Sequence, residues 1–221
     1  MRKHALLAAI AALLLPAAAS AQVSLGARLG FAPAMGNVGG DAGGSSVDLS
    51  DFTKSQIPLQ LDLMVRVTPQ LALGGYASYG WSKGTLDLDG TNQNVCDLDG
   101  VDCSGGVLRL GVQATYAFST TGQFQPWAGV GTGWERNRVK AEGGGEELEF
   151  TFSGWEVLNL QLGGDYFASP RFAVGPYLML SIGRYGEMKY SDSLGNSASA
   201  DITDKDAHEW VQFGVRGRFD L

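Results

Sequence analysis

Eight segments in which apolar and polar residues alternate, joined by connections that are long and short in turn, predict an all-β chain. The expected architecture is a single eight-stranded antiparallel up-and-down transmembrane β-barrel. A third observation assigns the faces, because lysine is missing from every alternating segment. The 221 residues fit one domain of this kind, and the 32 glycines show no G-X-Y period of a collagen. With 44% hydrophobic residues the chain is too apolar for disorder, and its net charge of −7 argues against a nucleic-acid partner. Two cysteines neither make a disulfide-dense mini-protein nor fill a four-ligand zinc site.

At the N-terminus, Arg2 and Lys3 precede an apolar run over 5–15, and Ala19-Ser20-Ala21 supplies a small-x-small site. Residues 1–21 therefore read as a signal peptide and 22–221 as an outer-membrane barrel domain. The run is shorter than the ~20 apolar residues a spanning helix needs. Removing Arg2 and Lys3 takes the net charge from −7 to −9. No later stretch reaches the length of a spanning helix without Gly, Pro or charge, so entry into a membrane requires a closed barrel.

The alternation begins at once. In residues 23–31, Val23, Leu25, Ala27, Leu29 and Phe31 share one face, and Ser24, Gly26, Arg28 and Gly30 the other. Over 57–67, Leu59, Leu61, Leu63 and Val65 oppose Gln60, Asp62 and Arg66. Over 71–82, Leu71, Leu73, Ala77, Tyr79 and Trp81 oppose Gly74, Tyr76, Ser78 and Gly80. Over 107–118, Leu108, Leu110, Val112 and Tyr116 oppose Arg109, Gly111, Gln113 and Thr115. Further strands are expected at 124–136, 148–167, 172–185 and 208–221. The connections 68–70, 119–123 and 168–171 are short, whereas 32–56, 83–106, 137–147 and 186–207 are long and rich in Gly, Asp, Ser and Asn. Such sorting is what a barrel gives when its short turns face the periplasm and its long loops face outward. In the sixth segment Leu158, Leu160 and Leu162 point outward and bring Glu156 onto the same row. The expected reading is a strand that projects above the membrane and carries Glu156 there; the other is a bulge near Gly154.

Alternation alone also suits a soluble lipocalin-like barrel, apolar inside. The polar row decides against it, since a water-facing row should be rich in Lys and Glu. Lys54, Lys83, Lys140, Lys189 and Lys205 all fall in or beside the long connections. The polar row is Gly, Ser, Thr and Gln with charges of both signs: Arg28, Asp62, Arg66, Arg109, Asp165, Arg216 and Arg218. These suit the cramped interior of an eight-stranded barrel, where buried charges must be paired. The outward row is aliphatic at mid-strand and aromatic towards its ends. Phe31, Trp81, Trp134 and Trp210 are expected at the long-loop rim, and Tyr116, Phe118, Tyr166 and Phe219 at the short-turn rim, as two girdles.

Pro126-Trp-Ala-Gly-Val-Gly-Thr-Gly133, Gly163-Gly-Asp-Tyr166 and Phe172-Ala-Val-Gly-Pro-Tyr177 resemble elements of the small outer-membrane barrels of the OmpA/OmpX-like superfamily. The strand Val211-Gln-Phe-Gly-Val-Arg-Gly-Arg-Phe-Asp-Leu221 looks like the assembly signal of such proteins. Its final Leu221 departs from the usual aromatic. The resemblance implies an outer-membrane location, lipid and lipopolysaccharide around the barrel, and recognition of the last strand by the barrel-assembly machinery. It implies a monomer, with no periplasmic peptidoglycan-binding domain expected after the barrel.

Candidate sites are few. Cys96 and Cys103 are expected to form a disulfide pinning the second long loop, their spacing being unlike a redox C-x-x-C. Asp87, Asp89, Asp97, Asp99 and Asp102 could gather a divalent cation, but match no EF-hand spacing and read first as a solvated acidic loop. Gly129-Val-Gly-Thr-Gly133 resembles a nucleotide fingerprint, yet Trp134 replaces the third glycine and no helix should follow. His208 is the single histidine after residue 21 and is read as a rim residue. A lipid A-modifying enzyme centred on His208 would need Ser197 or Ser199 folded against it. The expected role is thus structural or surface-interacting and non-enzymatic, without cofactor or metal. A narrow pore, that enzyme and a soluble periplasmic binder are the alternatives.

Overall fold

The computed structural model describes residues 22–40, 46–85, 96, 98–202 and 205–221. The proposed signal peptide, and Asp87, Asp89 and Asp97 of the acidic loop, lie outside them. Among the described residues the chain forms ten strands: β1 (Val23–Gly40), β2 (Ser46–Asp48), β3 (Thr53–Arg66), β4 (Leu71–Gly84), β5 (Val101–Ala117), β6 (Phe124–Gly143), β7 (Glu146–Phe167), β8 (Phe172–Asp192), β9 (Ser197–Asp201) and β10 (His208–Asp220). Each of β1, β3–β8 and β10 pairs antiparallel with its successor, and β10 pairs with both β8 and β1, so eight strands form a closed ring. β2 pairs with β1, and β9 with β8, outside that ring. All eight expected segments are strands of the ring.

The side-chain period of two fixes what each face carries. On β3, Leu59, Leu61 and Leu63 are exposed while the alternate Gln60, Asp62 and Met64 are buried. The same inversion, apolar outside and polar inside, runs along β5 and β10, where Leu110, Val112, Phe213 and Val215 are exposed and Arg109, Gln113, Gln212 and Arg216 buried. A soluble barrel would show the reverse.

At the long-loop end the strands run on past the apolar belt. β6 and β7 have 20 and 22 residues. At ~3.3 Å per residue and a tilt of ~40°, they rise ~50 Å or more, about twice the ~25 Å apolar band of such barrels. Two expectations change as a result. The connection 137–147 is not an open loop: the strands meet in a tight turn at Gly144 and Gly145, whose φ values of +62° and +86° are the left-handed pair a twisted hairpin requires. Lys54, Lys83, Lys140 and Lys189, expected in or beside the long connections, lie on β3, β4, β6 and β8, within those extensions. The belt itself stays free of lysine.

Glu156 is also corrected. It is fully buried and faces the barrel interior, not the outer surface. On β6 the register jumps from Gly131 opposite Asn159 to Gly133 opposite Glu156, so β7 holds an extra residue at Val157–Leu158. This bulge switches the inward row from Phe152 and Glu156 to Asn159 and Gln161, and leaves Val157 and Leu158 both outward. A phase shift thus does occur, three residues beyond Gly154.

Asp192 ends β8 in a turn held by its own carboxylate, which accepts from Leu194 N at 3.1 Å, Asn196 N at 2.9 Å and Asn196 Nδ2 at 2.9 Å. The Asn196 side-chain bond, foremost, holds this carboxyl below the usual Asp value. A depressed folded value contributes order above the unfolded value and loses it as pH falls through the folded one. Protection of the Leu194 and Asn196 amides, taken as exchange relative to the intrinsic rate at each pH, is therefore expected to be greater at pH 6 than below about pH 4; equal protection at both would contradict the cap.

Candidate functional site

The interior is the chemically dense part of the molecule, and it falls into three layers. At the long-loop end the first connection dips into the mouth. Leu49, on a short 3-10 turn after β2, is fully buried with Ala32, Val38, Phe152, Tyr185 and Trp210. Phe52 packs edge-on against Phe152 with ring centres 4.9 Å apart. An apolar stopper fills this mouth.

Beneath it lie two buried carboxylates with complementary surroundings. Glu135 on β6 accepts Arg109 Nε at 2.6 Å, the Tyr185 hydroxyl at 2.5 Å and His208 Nε2 at 2.9 Å. An ionised carboxylate only accepts, so Nε2 carries the proton. His208 lies flat on Tyr185, centres 4.0 Å apart and planes 11° apart, and the Arg109 guanidinium sits 5.3 Å from the Trp210 ring centre. Glu156 accepts the Tyr76 hydroxyl, Ser181 Oγ at 2.5 Å and Asn159 Nδ2 at 2.8 Å.

At mid-barrel, Arg28 reaches across the lumen. Its Nε donates to Asp62 at 2.7 Å, and its other nitrogens to Gln161 at 2.8 Å and Gln113 at 3.2 Å. Asp62 also accepts Gln60 at 2.7 Å and Gln113 at 2.8 Å, while Gln161 donates onward to Asn159 at 2.6 Å. These groups come from the adjacent β1 and β3 and from β5 and β7, so the network reaches across the ring to strands that are not neighbours. Trp127 lies between Arg28 and Arg216, at 5.4 and 4.3 Å, and donates to Asp165 at 3.1 Å. Below it, Arg218 bonds Asp165 at 2.8 Å and Asp220 at 3.0 Å, and the half-exposed Arg66 reaches Asp220 at 3.7 Å. Here the barrel opens into a cavity of about 540 Å³ lined by Ser24, Arg66, Arg216, Arg218 and Asp220.

Of the expected interior groups, Arg28, Asp62, Arg109, Asp165, Arg216 and Arg218 are buried or nearly so inside the barrel, with Arg66 at its short-turn mouth. Gln60 and Gln113 lie inside as the polar row implied, Glu156 was expected on the outer row, and Glu135 and Gln161 were not singled out from sequence. Glu135 could have been, since it shares the parity of Gly131 and Gly133 on the inward row of β6. The inward glycines are packing devices, not a nucleotide loop: a Cβ on Gly133 would stand 2.6 Å from the Tyr76 hydroxyl, and one on Gly131 2.7 Å from Asn159 Oδ1.

Two residues move from rim to interior. Trp210, expected in the girdle, is fully buried, because unbroken register from His208 to Phe219 gives it the parity of Gln212 and Arg216. His208 shares that parity and is equally buried, whereas Ser197 and Ser199 are exposed on β9 outside the ring. Phe31, Trp81, Tyr116, Phe118, Tyr166 and Phe219 are exposed on the outer surface, and Trp134 shares their face, paired with Leu110 and Trp155. Cys96 and Cys103 form the disulfide, their Cα atoms 5.5 Å apart. Replacing both with serine is expected to lower stability by ~2.5 kcal/mol, the chain-entropy value for so short a loop, read as a shifted denaturation midpoint. Among the described residues no group of three acidic, His or Cys side chains is placed to hold a metal ion.

An apolar outer belt, a filled polar interior and a closed antiparallel ring define a transmembrane-type β-barrel. Solved outer-membrane proteins are similar to this chain, and one of them shares its fold. A major outer membrane protein of Thermus thermophilus superposes with TM-score 0.56 at 16% identity, over 90% of this chain and all of that one (100%). Neisserial surface protein A matches at TM-score 0.45 and 16% identity, covering 88% and 95% of the two chains. OprG of Pseudomonas aeruginosa matches at 0.45 and 17%, covering 89% and 95%. No protein-family model and no curated protein matches by sequence.

Proposed function

We propose that this chain is an integral outer-membrane β-barrel with a structural or surface-interaction role, neither conduit nor enzyme. The observation that carries this is the inverted alternation on β3, where Leu59, Leu61 and Leu63 are exposed and Gln60 and Asp62 are buried. Exposed leucine rows on successive strands are stable only against lipid. The belt takes outer-membrane lipid and lipopolysaccharide as its solvent, the last strand is the handle for the assembly machinery, and the barrel works as a monomer. Residues 1–21 export it.

A conduit is disfavoured because an apolar stopper and the Arg28–Asp62–Gln161 crossing lie in series along the axis. Catalysis by His208 is disfavoured because the ring is sealed between Tyr185 and Glu135, with both candidate serines outside. The test is fractionation followed by gel migration. The chain should resist carbonate extraction and run faster unheated than boiled; release by carbonate would overturn the membrane reading. Planar bilayers should show no conductance steps, and regular steps would restore the pore.

A further inference from the structure

The outer surface carries a feature that the plain belt does not need. Where β3 to β7 face lipid, the outward side chains are small, and they leave a trench of about 830 Å³ lined by Val65, Leu73, Val112, Ala114, Val130 and Val157. It follows the cross-strand pairs Leu73–Ala114 and Ala114–Val130, and therefore descends obliquely as the strands tilt. At its upper end, beyond Thr132 and Val157, stand the paired tryptophans Trp134 and Trp155.

Level with and above this pair lie two exposed cations. Arg136 follows Trp134 on the outward row of β6, opposite Leu108 and Ser153; Arg184 is the cross-strand partner of Trp155 on β8. Two strand spacings and two residues separate them, ~12 Å between backbones, which two long side chains can close on a single headgroup. The neighbouring outward charges are otherwise engaged: Arg138 with Glu149, Lys140 with Glu142 and Glu147, and Lys189 with Glu187 at 3.3 Å. Glu209 on β10 lies against Gly36 of β1. Neither Arg136 nor Arg184 makes an ion pair or side-chain hydrogen bond among the described residues. Exposed arginines with spare donors next to an aromatic belt are anion sites, and planar guanidinium suits phosphate.

We infer that this face binds one phosphorylated membrane lipid, its phosphate held by Arg136 and Arg184, its sugar or glycerol against Trp134 and Trp155, and an acyl chain in the trench. The inference rests on the membrane reading above. The occupant is a lipid and not a free anion, because the cationic pair is continuous with an apolar trench that a free anion would leave empty. The site takes its charge from two groups that the barrel's own fold does not use.

Native mass spectrometry of the detergent-solubilised chain with added lipid A tests it. The wild-type protein should retain one lipid A through delipidation, and phosphatidylcholine should not be retained. R136Q/R184Q should weaken retention about twenty-five-fold, from ~fivefold for each cation facing an anionic headgroup. Ala114→Trp, which fills the trench without touching charge, should weaken it too, while both variants keep heat-dependent gel migration. Equal retention by wild type and R136Q/R184Q, equal retention of phosphatidylcholine, or displacement by millimolar pyrophosphate would each overturn the site. Those results leave the barrel in the membrane; carbonate release of the wild-type chain removes the barrel reading and the site together.

Discussion

Asp62→Ala is expected to destabilise the barrel by about 3–5 kcal/mol, the range for removing one partner of a buried ion pair. Asp62 is 3% exposed and accepts from Arg28, Gln60 and Gln113, so alanine strands a guanidinium and two amides inside the wall. The guanidinium keeps its bonds to Gln161 and Gln113, which makes the lower end of that range the safer figure. Asp62→Asn preserves an acceptor and should cost less. Replacing Arg28 and Asp62 together with methionine and leucine should cost less than Asp62→Ala alone, since no buried charge is left behind. Urea titration in lipid vesicles, followed by tryptophan fluorescence, checks all three. A midpoint for Asp62→Ala equal to wild type would show that the crossing network does not brace the ring.

The second large effect belongs to the outer face. Leu61→Arg is expected to cost about 2–4 kcal/mol, the range for a cation at the middle of the apolar band. Leu61 is 57% exposed, so in a water-soluble protein the same change would be nearly neutral. Leu194 supplies the internal control: it is 77% exposed but lies in the turn after β8, above the band, and Leu194→Arg should leave stability unchanged. Equal small effects at both sites would mean that the belt faces water.

How much of this was readable from the residues depended on how local the signal was. The eight ring strands were, because a two-residue period and glycine-poor leucine rows survive without any partner in view. Their outer ends were not: residues 137–143 carry Arg138 and Lys140 on the outward row begun by Arg136, so a strand leaving the belt looks like a polar loop. Only pairing with β7, out to Gly143 opposite Glu146, makes it strand. Most interior charges were legible from parity. Glu156 was not, because a bulge just beyond it changes phase without any glycine or proline at Val157–Leu158 to announce it. Trp210 and His208 resemble rim residues by their ring character, yet the unbroken alternation of β10 gives both the parity of Gln212. The stopper was invisible for a different reason. Leu49 shares a buried cluster with residues more than a hundred positions away, Phe152 and Trp210 among them, and no spacing in the sequence encodes that approach.

The central claim is that the apolar rows face lipid and the polar rows a packed interior. Site-directed spin labelling along β3 tests it most directly. Single cysteines at positions 57, 59, 61 and 63, and at 56 and 60, would be labelled in a chain whose Cys96 and Cys103 are replaced by serine, reconstituted in vesicles. Labels at the four odd positions should relax with oxygen and ignore a water-soluble nickel complex. Those at 56 and 60 should be immobilised and shielded from both. Strong nickel accessibility at 59, 61 and 63 would contradict the account and return the molecule to the water-soluble barrels.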